Sequence, residues 1–117
     1  LVNVWKNKSL LTLQIINHFR ILDKEMASQT MAVYLAVASH GGEGVSMATV
    51  KDDLGIAQSS ASRNINLLCK TRRHMKPGHN LLETYEDPME RRRKLCRLSP
   101  RGKLFLEQLS DFFKSWC

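Results

Sequence analysis

Ser46 to Lys70 reads SMATVKDDLGIAQSSASRNINLLCK, and this stretch decides the fold. Two short amphipathic helices meet at a tight turn, Leu54-Gly55-Ile56. In the first helix, Val50 and Leu54 stand four apart and share a face. In the second, Ala61, Ile65 and Leu68 recur at i, i+4 and i+7 and make a stripe for burial. On a wheel of about 100° per residue the opposite face carries Ser59, Ser62, Arg63, Asn66 and Lys70. These side chains donate or accept hydrogen bonds and are of a size to reach base edges or phosphates. The layout predicts a helix-turn-helix, in which a small apolar face holds a polar helix outward. An ordinary surface corner of two helices shares the pattern, so the flanking chain has to decide between the two.

The chain has 117 residues and a formal charge of +7, and that charge is concentrated. From Gln58 to Lys103 there are 12 Lys and Arg against 4 Asp and Glu, while the remaining residues hold 6 and 7. The excess therefore falls on the second helix of the pair and the segment C-terminal to it. Such a surface implies a polyanionic partner, and nucleic acid is the commonest. An anionic membrane surface would call for a basic helix with a large apolar face, whereas the basic part here has no helical pattern. No apolar run approaches the roughly 18 residues that span a bilayer, so no membrane partner is expected. The length suits one domain, residues 1–117, with a modest core. Cys69, Cys96 and Cys117 are odd in number and widely spaced. With no signal-peptide pattern, they point to the reducing cytoplasm.

Residues 1–8 show no periodicity and read as a loose basic end. Residues 9–23 read as a helix with Leu11, Ile15, Phe19 and Leu22 on one face. Ala27 to Ser39 is a second helix, apolar nearly all round and so buried on most sides, ended by Gly41-Gly42-Glu43-Gly44. Val45 is a short strand, and Ser46 is placed to cap the next helix. The fourth helix begins near Gln58 behind Ala57, a poor capping residue. A basic link from Thr71 to Asn80 adds Arg72 and Arg73 to the candidate nucleic-acid contacts. Leu81 to Glu86 and Arg92 to Leu98 read as strands joined by the turn Asp87-Pro88-Met89-Glu90-Arg91. Ser99-Pro100 opens a last helix, 100–116, with Phe105, Leu109, Phe112 and Trp116 on one face. A helix-turn-helix at 46–70 followed by a hairpin at 81–98 is a winged helix-turn-helix: mainly α, with a small β-hairpin wing.

Three stretches carry a resemblance to a known family. They are AVYLAVASHGG (Ala32 to Gly42), VKDDLGIAQSSASRNINLL (Val50 to Leu68) and EDPMERRRKLCRLSPRGKLFLEQL (Glu86 to Leu109). In order and spacing they resemble the MarR family of bacterial winged-helix transcriptional regulators, over about Met26 to Leu109. The Asp87-Pro88-x-Glu90-Arg91-Arg92 tip and the Leu98-Ser99-Pro100-Arg101-Gly102 junction are the more specific parts. The resemblance implies a homodimer on a pseudo-palindromic site in double-stranded DNA, with the recognition helix in the major groove and a wing arginine in the minor groove. By position, Ser59, Ser62, Arg63 and Asn66 would face bases or phosphates, and Arg91 or Arg92 would be the wing residue. Dimers of the family form through their first and last helices. Here these carry Leu11, Ile15 and Phe19, and Phe105, Leu109, Phe112 and Trp116. The link from Thr71 to Asn80 is longer than the family's.

Arg91-Arg92-Arg93-Lys94 is a run of four cations. Charge runs are commonly solvated turns, but as part of a strand this one would alternate, Arg91 and Arg93 to one face, Arg92 and Lys94 to the other. Asp87 and Glu90 would anchor one arginine and leave another for the groove. His74 and His79 fit no zinc spacing, so no metal is expected. Cys69 and Cys96 each suit either a small buried thiol or a redox switch favoured by basic neighbours. No nucleophile elbow, paired carboxylates or phosphate-cradling glycine loop is present, so neither enzyme activity nor a cofactor is expected. The expected function is sequence-specific DNA binding as a homodimeric transcriptional repressor at the cytoplasmic nucleoid. No residue pattern points to a small-molecule effector. The alternative is a winged-helix interaction module that docks on a polymerase or replication partner and binds nucleic acid without specificity.

Overall fold

The computed structural model describes residues 2–71 and 76–116. Arg72, Arg73, His74 and Cys117 therefore lie outside the described residues, as does the side chain of Trp116. The order is α1 (Val2–Leu22), α2 (Ser28–Ser39), β1 (Val45–Ser46), α3 (Met47–Leu54), α4 (Gln58–Leu68), β2 (Leu82–Glu86), β3 (Lys94–Leu98) and α5 (Pro100–Trp116). The strands form one antiparallel sheet in the order β1-β3-β2. Val45 pairs with Cys96, and on the other side of β3 Leu82 pairs with Leu98 and Thr84 with Cys96. This is a winged-helix architecture.

The core gathers around α2. Val33, Tyr34 and Val37 are wholly buried, and every other element sends side chains to them: Phe19 from α1, Val50 from α3, Ile65 and Leu68 from α4, Cys96 and Leu98 from β3, Phe105 and Leu109 from α5. The ring of Phe105 lies 5.1 Å from that of Phe19 and 5.5 Å from that of Tyr34. Ser46 caps α3 as its position suggests, its hydroxyl accepting from the Thr49 amide at 3.1 Å. No helix among the described residues is long and apolar enough to cross a membrane.

Four expectations are corrected. First, the loose end expected at residues 1–8 is helical from Val2, because α1 runs through 21 residues. Nothing between Val2 and Leu22 breaks it: the segment holds no proline or glycine, and each added residue of a nucleated helix gains a hydrogen bond. Second, α4 ends at Leu68. Cys69 turns extended and bridges to Leu82, so Lys70 leaves the helix and does not continue its polar face. Third, the strands are shorter than expected and Arg91, Arg92 and Arg93 lie in the turn between them. The strand alternation expected for them does not apply. Fourth, part of each apolar stripe of the terminal helices is used inside the chain. Phe19, Phe105 and Leu109 are buried in its own core, while Leu11, Ile15 and Phe112 are partly buried. Phe19, Phe105 and Leu109 share one core, with Ile15 and Phe112 packed against it, because α1 and α5 lie with these faces towards each other. His18 stacks on Phe105 at 4.3 Å and shares a 3.0 Å hydrogen bond with Gln108.

Candidate nucleic-acid interface

The interface is built on the turn between α3 and α4. Gly55 takes a left-handed conformation (φ 63°) that stops α3, with its amide and that of Ile56 bonding back to the carbonyls of Asp52 and Lys51. Ala57 then enters α4 in an extended conformation and offers no side-chain cap. Ala61, Ile65 and Leu68 are buried, as their spacing predicts. Their burial presents Ser59, Arg63 and Asn66 to solvent, with Ser62 half-buried beside them.

Asn64 belongs to the inward face of α4, and the sequence pattern does not single it out. Its side chain is buried and bonded to α2. Its Oδ1 accepts from the Thr30 hydroxyl at 2.6 Å, and its Nδ2 donates to Gln29 Oε1 at 2.8 Å and to the Ser60 carbonyl at 2.9 Å. The available signal is its place on the wheel between Ala61, Leu68 and Ile65. A polar residue inside an apolar arc needs partners, and no local pattern names them.

The segment after α4 folds back on it. The amides of His79 and Leu81 donate to the carbonyls of Leu67 and Leu68 at 3.0 and 2.7 Å, and that of Gly78 donates to Lys70 at 2.9 Å. These bonds satisfy carbonyls that a helix end leaves open. They also join α4 directly to the root of the wing. A Cβ on Gly78 would run into the Cys69 carbonyl, so glycine is required there by close approach. Lys70 and Lys76 on this link are both exposed.

At the wing tip the backbone closes on itself. The Asp87 amide donates to Arg93 at 2.9 Å, the Arg93 amide to Glu90 at 2.9 Å, and the Asp87 carboxylate accepts from the Met89 amide at 2.9 Å. Asp87 therefore holds the turn and not an arginine. Among the described residues Arg91, Arg92, Arg93 and Lys94 join no ion pair, and all four are exposed. The solvent face of the hairpin is braced differently. Arg97 donates to Glu83 at 3.1 Å and lies 4.5 Å over the Tyr85 ring, and the Tyr85 hydroxyl reaches the Glu43 carbonyl at 3.2 Å. The tip is thus a cationic loop on a braced stem, suited to a phosphate backbone or a narrow groove.

Among the described residues no three His, Cys, Asp or Glu side chains converge to hold a metal ion. The two described cysteines are not primed for reaction. Burial, then the Glu83 carboxylate, raises the Cys69 thiol. Burial, then Cys69, pushes Cys96 up to about 12.

No protein-family model matches the chain, and no curated protein matches it. Solved structures do, and they are MarR-family regulators. The PcaV transcriptional regulator from Streptomyces coelicolor, in complex with its natural ligand, is 21% identical, with a TM-score of 0.60 over 92% of this chain and 70% of that one. A MepR mutant from S. aureus bound to an oligodeoxyribonucleotide is 16% identical, with a TM-score of 0.72 over 93% of this chain and 72% of that one. A MarR mutant from E. coli complexed with operator DNA is 12% identical, with a TM-score of 0.62 over 95% of this chain and 74% of that one. At these identities the likeness is one of fold.

Proposed function

We propose that this chain is a sequence-specific DNA-binding transcriptional regulator of the MarR type, acting in the cytoplasm as a homodimeric repressor on a pseudo-palindromic site. One observation carries the reading. A helix with Ser59, Arg63 and Asn66 turned outward is hydrogen-bonded at its end to the root of a wing whose tip bears four cations that join no ion pair among the described residues. Phosphate contacts from the wing supply affinity, and the short polar face of α4 supplies sequence discrimination. DNA in the structures of the MepR and MarR mutants supports the choice of partner.

The dimer is proposed on a surface other than the stripes buried between α1 and α5. Trp5, Leu10, Leu13 and Ile16 on α1 and Phe113 on α5 are large, apolar and at least 41% exposed. The molecule is 52 Å long and only 28 by 26 Å across. A twofold partner would offer the same surface in return and cover a patch that a lone domain would leave sticky.

Selection of bound sequences from a random duplex pool tests both parts. Enrichment of a site with two inverted half-sites about one DNA turn apart, roughly 34 Å, is the expected result. A pool without enrichment would remove the regulator reading and favour an interaction module.

A further inference from the structure

The seam between α2 and α4 is apolar except at one point. Val33 and Val37 of α2 and Ala61, Ile65 and Leu68 of α4 are buried there without a polar atom in their side chains. Burial of the Ala61, Ile65 and Leu68 stripe sets which face of α4 turns inward, but apolar contact is non-directional and leaves the fine rotation to directional bonds. The exception is Asn64, 8% exposed, opposite Thr30, 3% exposed. The Ser60 carbonyl can only accept, so it must face the Asn64 amide nitrogen, which leaves the oxygen for the Thr30 hydroxyl. Both amide protons and the oxygen are then used, and no buried side-chain nitrogen or oxygen among the described residues lacks a partner. Each of these bonds is directional and weakens steeply away from its line.

The position of Asn64 on the helix gives the linkage its effect. Asn66 and Ser62 each stand two residues away, about 200° around a helix of 3.6 residues per turn. Arg63 is the adjacent residue. The polar linkage and the outward side chains thus sit on different sides of one rigid cylinder. For a helix about 10–12 Å across, a rotation of about 10° carries a side-chain tip about 1 Å, enough to spoil a bidentate hydrogen bond to a base.

We propose that Asn64 and Thr30 are positioning residues for sequence reading. The linkage Thr30–Asn64–Gln29 sets the fine rotation of α4 about its own axis, within the few degrees that decide how Arg63 and Asn66 meet the groove. Neither buried residue touches DNA. A directional polar group that fixes register within an apolar contact has precedent as a general device. This inference rests on the reading of the chain as a sequence-specific DNA binder.

The test compares two affinities on the purified full chain: one for the selected duplex, one for a random duplex of equal length at the same salt. The variants are Thr30→Ser, Thr30→Val, and Thr30→Val combined with Asn64→Leu. The double variant removes both buried partners at similar volume, leaving exposed Gln29 to water, so it is expected to stay folded. Its ratio of selected to random affinity should fall by about tenfold or more, the scale of one well-formed base contact. Its affinity for the random duplex and its salt slope should not change, because the phosphate contacts are intact. Thr30→Ser keeps the hydroxyl and should keep the parent ratio. A folded double variant with the parent ratio would overturn the inference. If the double variant does not fold, Thr30→Val alone carries the same comparison. A parent chain that shows no preference removes the regulator reading, and this inference with it. A parent that discriminates beside a variant that discriminates equally removes only the inference.

Discussion

The Tyr34 hydroxyl donates to the carbonyl of Gly102 at 2.5 Å, joining the centre of α2 to the first turn of α5 across 68 residues of chain. The phenol is wholly buried, and burial holds its pKa well above the usual tyrosine value. Behind it, a Cβ on Gly102 would collide with the Leu81 backbone, so α5 lies hard against the root of the wing. Tyr34→Phe should cost about 0.5–1.5 kcal/mol, one buried hydrogen bond, since the Gly102 carbonyl stays within a helix. Gly102→Ala should cost more, about 1–3 kcal/mol, because two backbones must separate to admit the methyl group. Urea denaturation followed by circular dichroism measures both, and the reverse order would refute this account of the joint.

Arg63 is exposed on α4 and free of ion pairs among the described residues. Arg63→Ala should weaken binding to the selected duplex by about 1–3 kcal/mol, the worth of a bidentate base contact. Its melting temperature should stay near the parent value. Unchanged affinity in the folded variant would mean that Arg63 does not touch the bases.

Arg91 and Arg92 sit in a turn held by Asp87, with no carboxylate among the described residues engaging them. Replacing both with alanine should weaken binding to all duplexes alike. The slope of log K against log salt should shrink by about 0.9 for every phosphate that either arginine neutralises. Titrations at several salt concentrations measure this, and an unaltered slope would place the wing off the DNA.

Cys96 is fully buried, its thiol raised from 9.0 to about 12. Between these values the unfolded chain has released the proton and the folded chain has kept it. Stability therefore falls as pH rises from 9.0 towards 12. Tyr34, raised in the same sense, adds to the fall at the upper end. The decrease in urea midpoint from about pH 8 to about pH 10 should be smaller in Cys96→Ala than in the parent. Equal decreases would show that the thiol is not the group responsible.

Trp5 and Leu13 are 66% and 52% exposed on α1. Trp5→Asp with Leu13→Asp should convert a homodimer to monomers of unchanged helical content, read by sedimentation. Specific affinity should fall with it, since one half-site then has to bind alone. A parent chain that is monomeric at micromolar concentration would refute the proposed assembly.

The helix α4 is legible in the sequence because its signal is local. Ala61, Ile65 and Leu68 repeat at the helical period, and the burial of that stripe turns Ser59, Arg63 and Asn66 outward whatever it packs against. Gly55 and Ser46 are legible for the same reason, as a left-handed turn and a capping hydroxyl are chosen within a few residues. The charge imbalance needs no structure at all. The features beyond the reach of the sequence depend on residues distant along the chain. Asn64 reads as one more polar residue until Thr30, 34 positions earlier, is placed against it. The end of α4 and the departure of Lys70 come from Cys69 bridging to Leu82 and from the loop amides that take up the helix's last carbonyls. Periodicity marks the faces of α1 and α5 as apolar, but whether an apolar face meets its own chain or a second copy is a question of where the helices are docked. For Phe19 and Phe105 it is their packing with Tyr34 into one aromatic cluster that decides it.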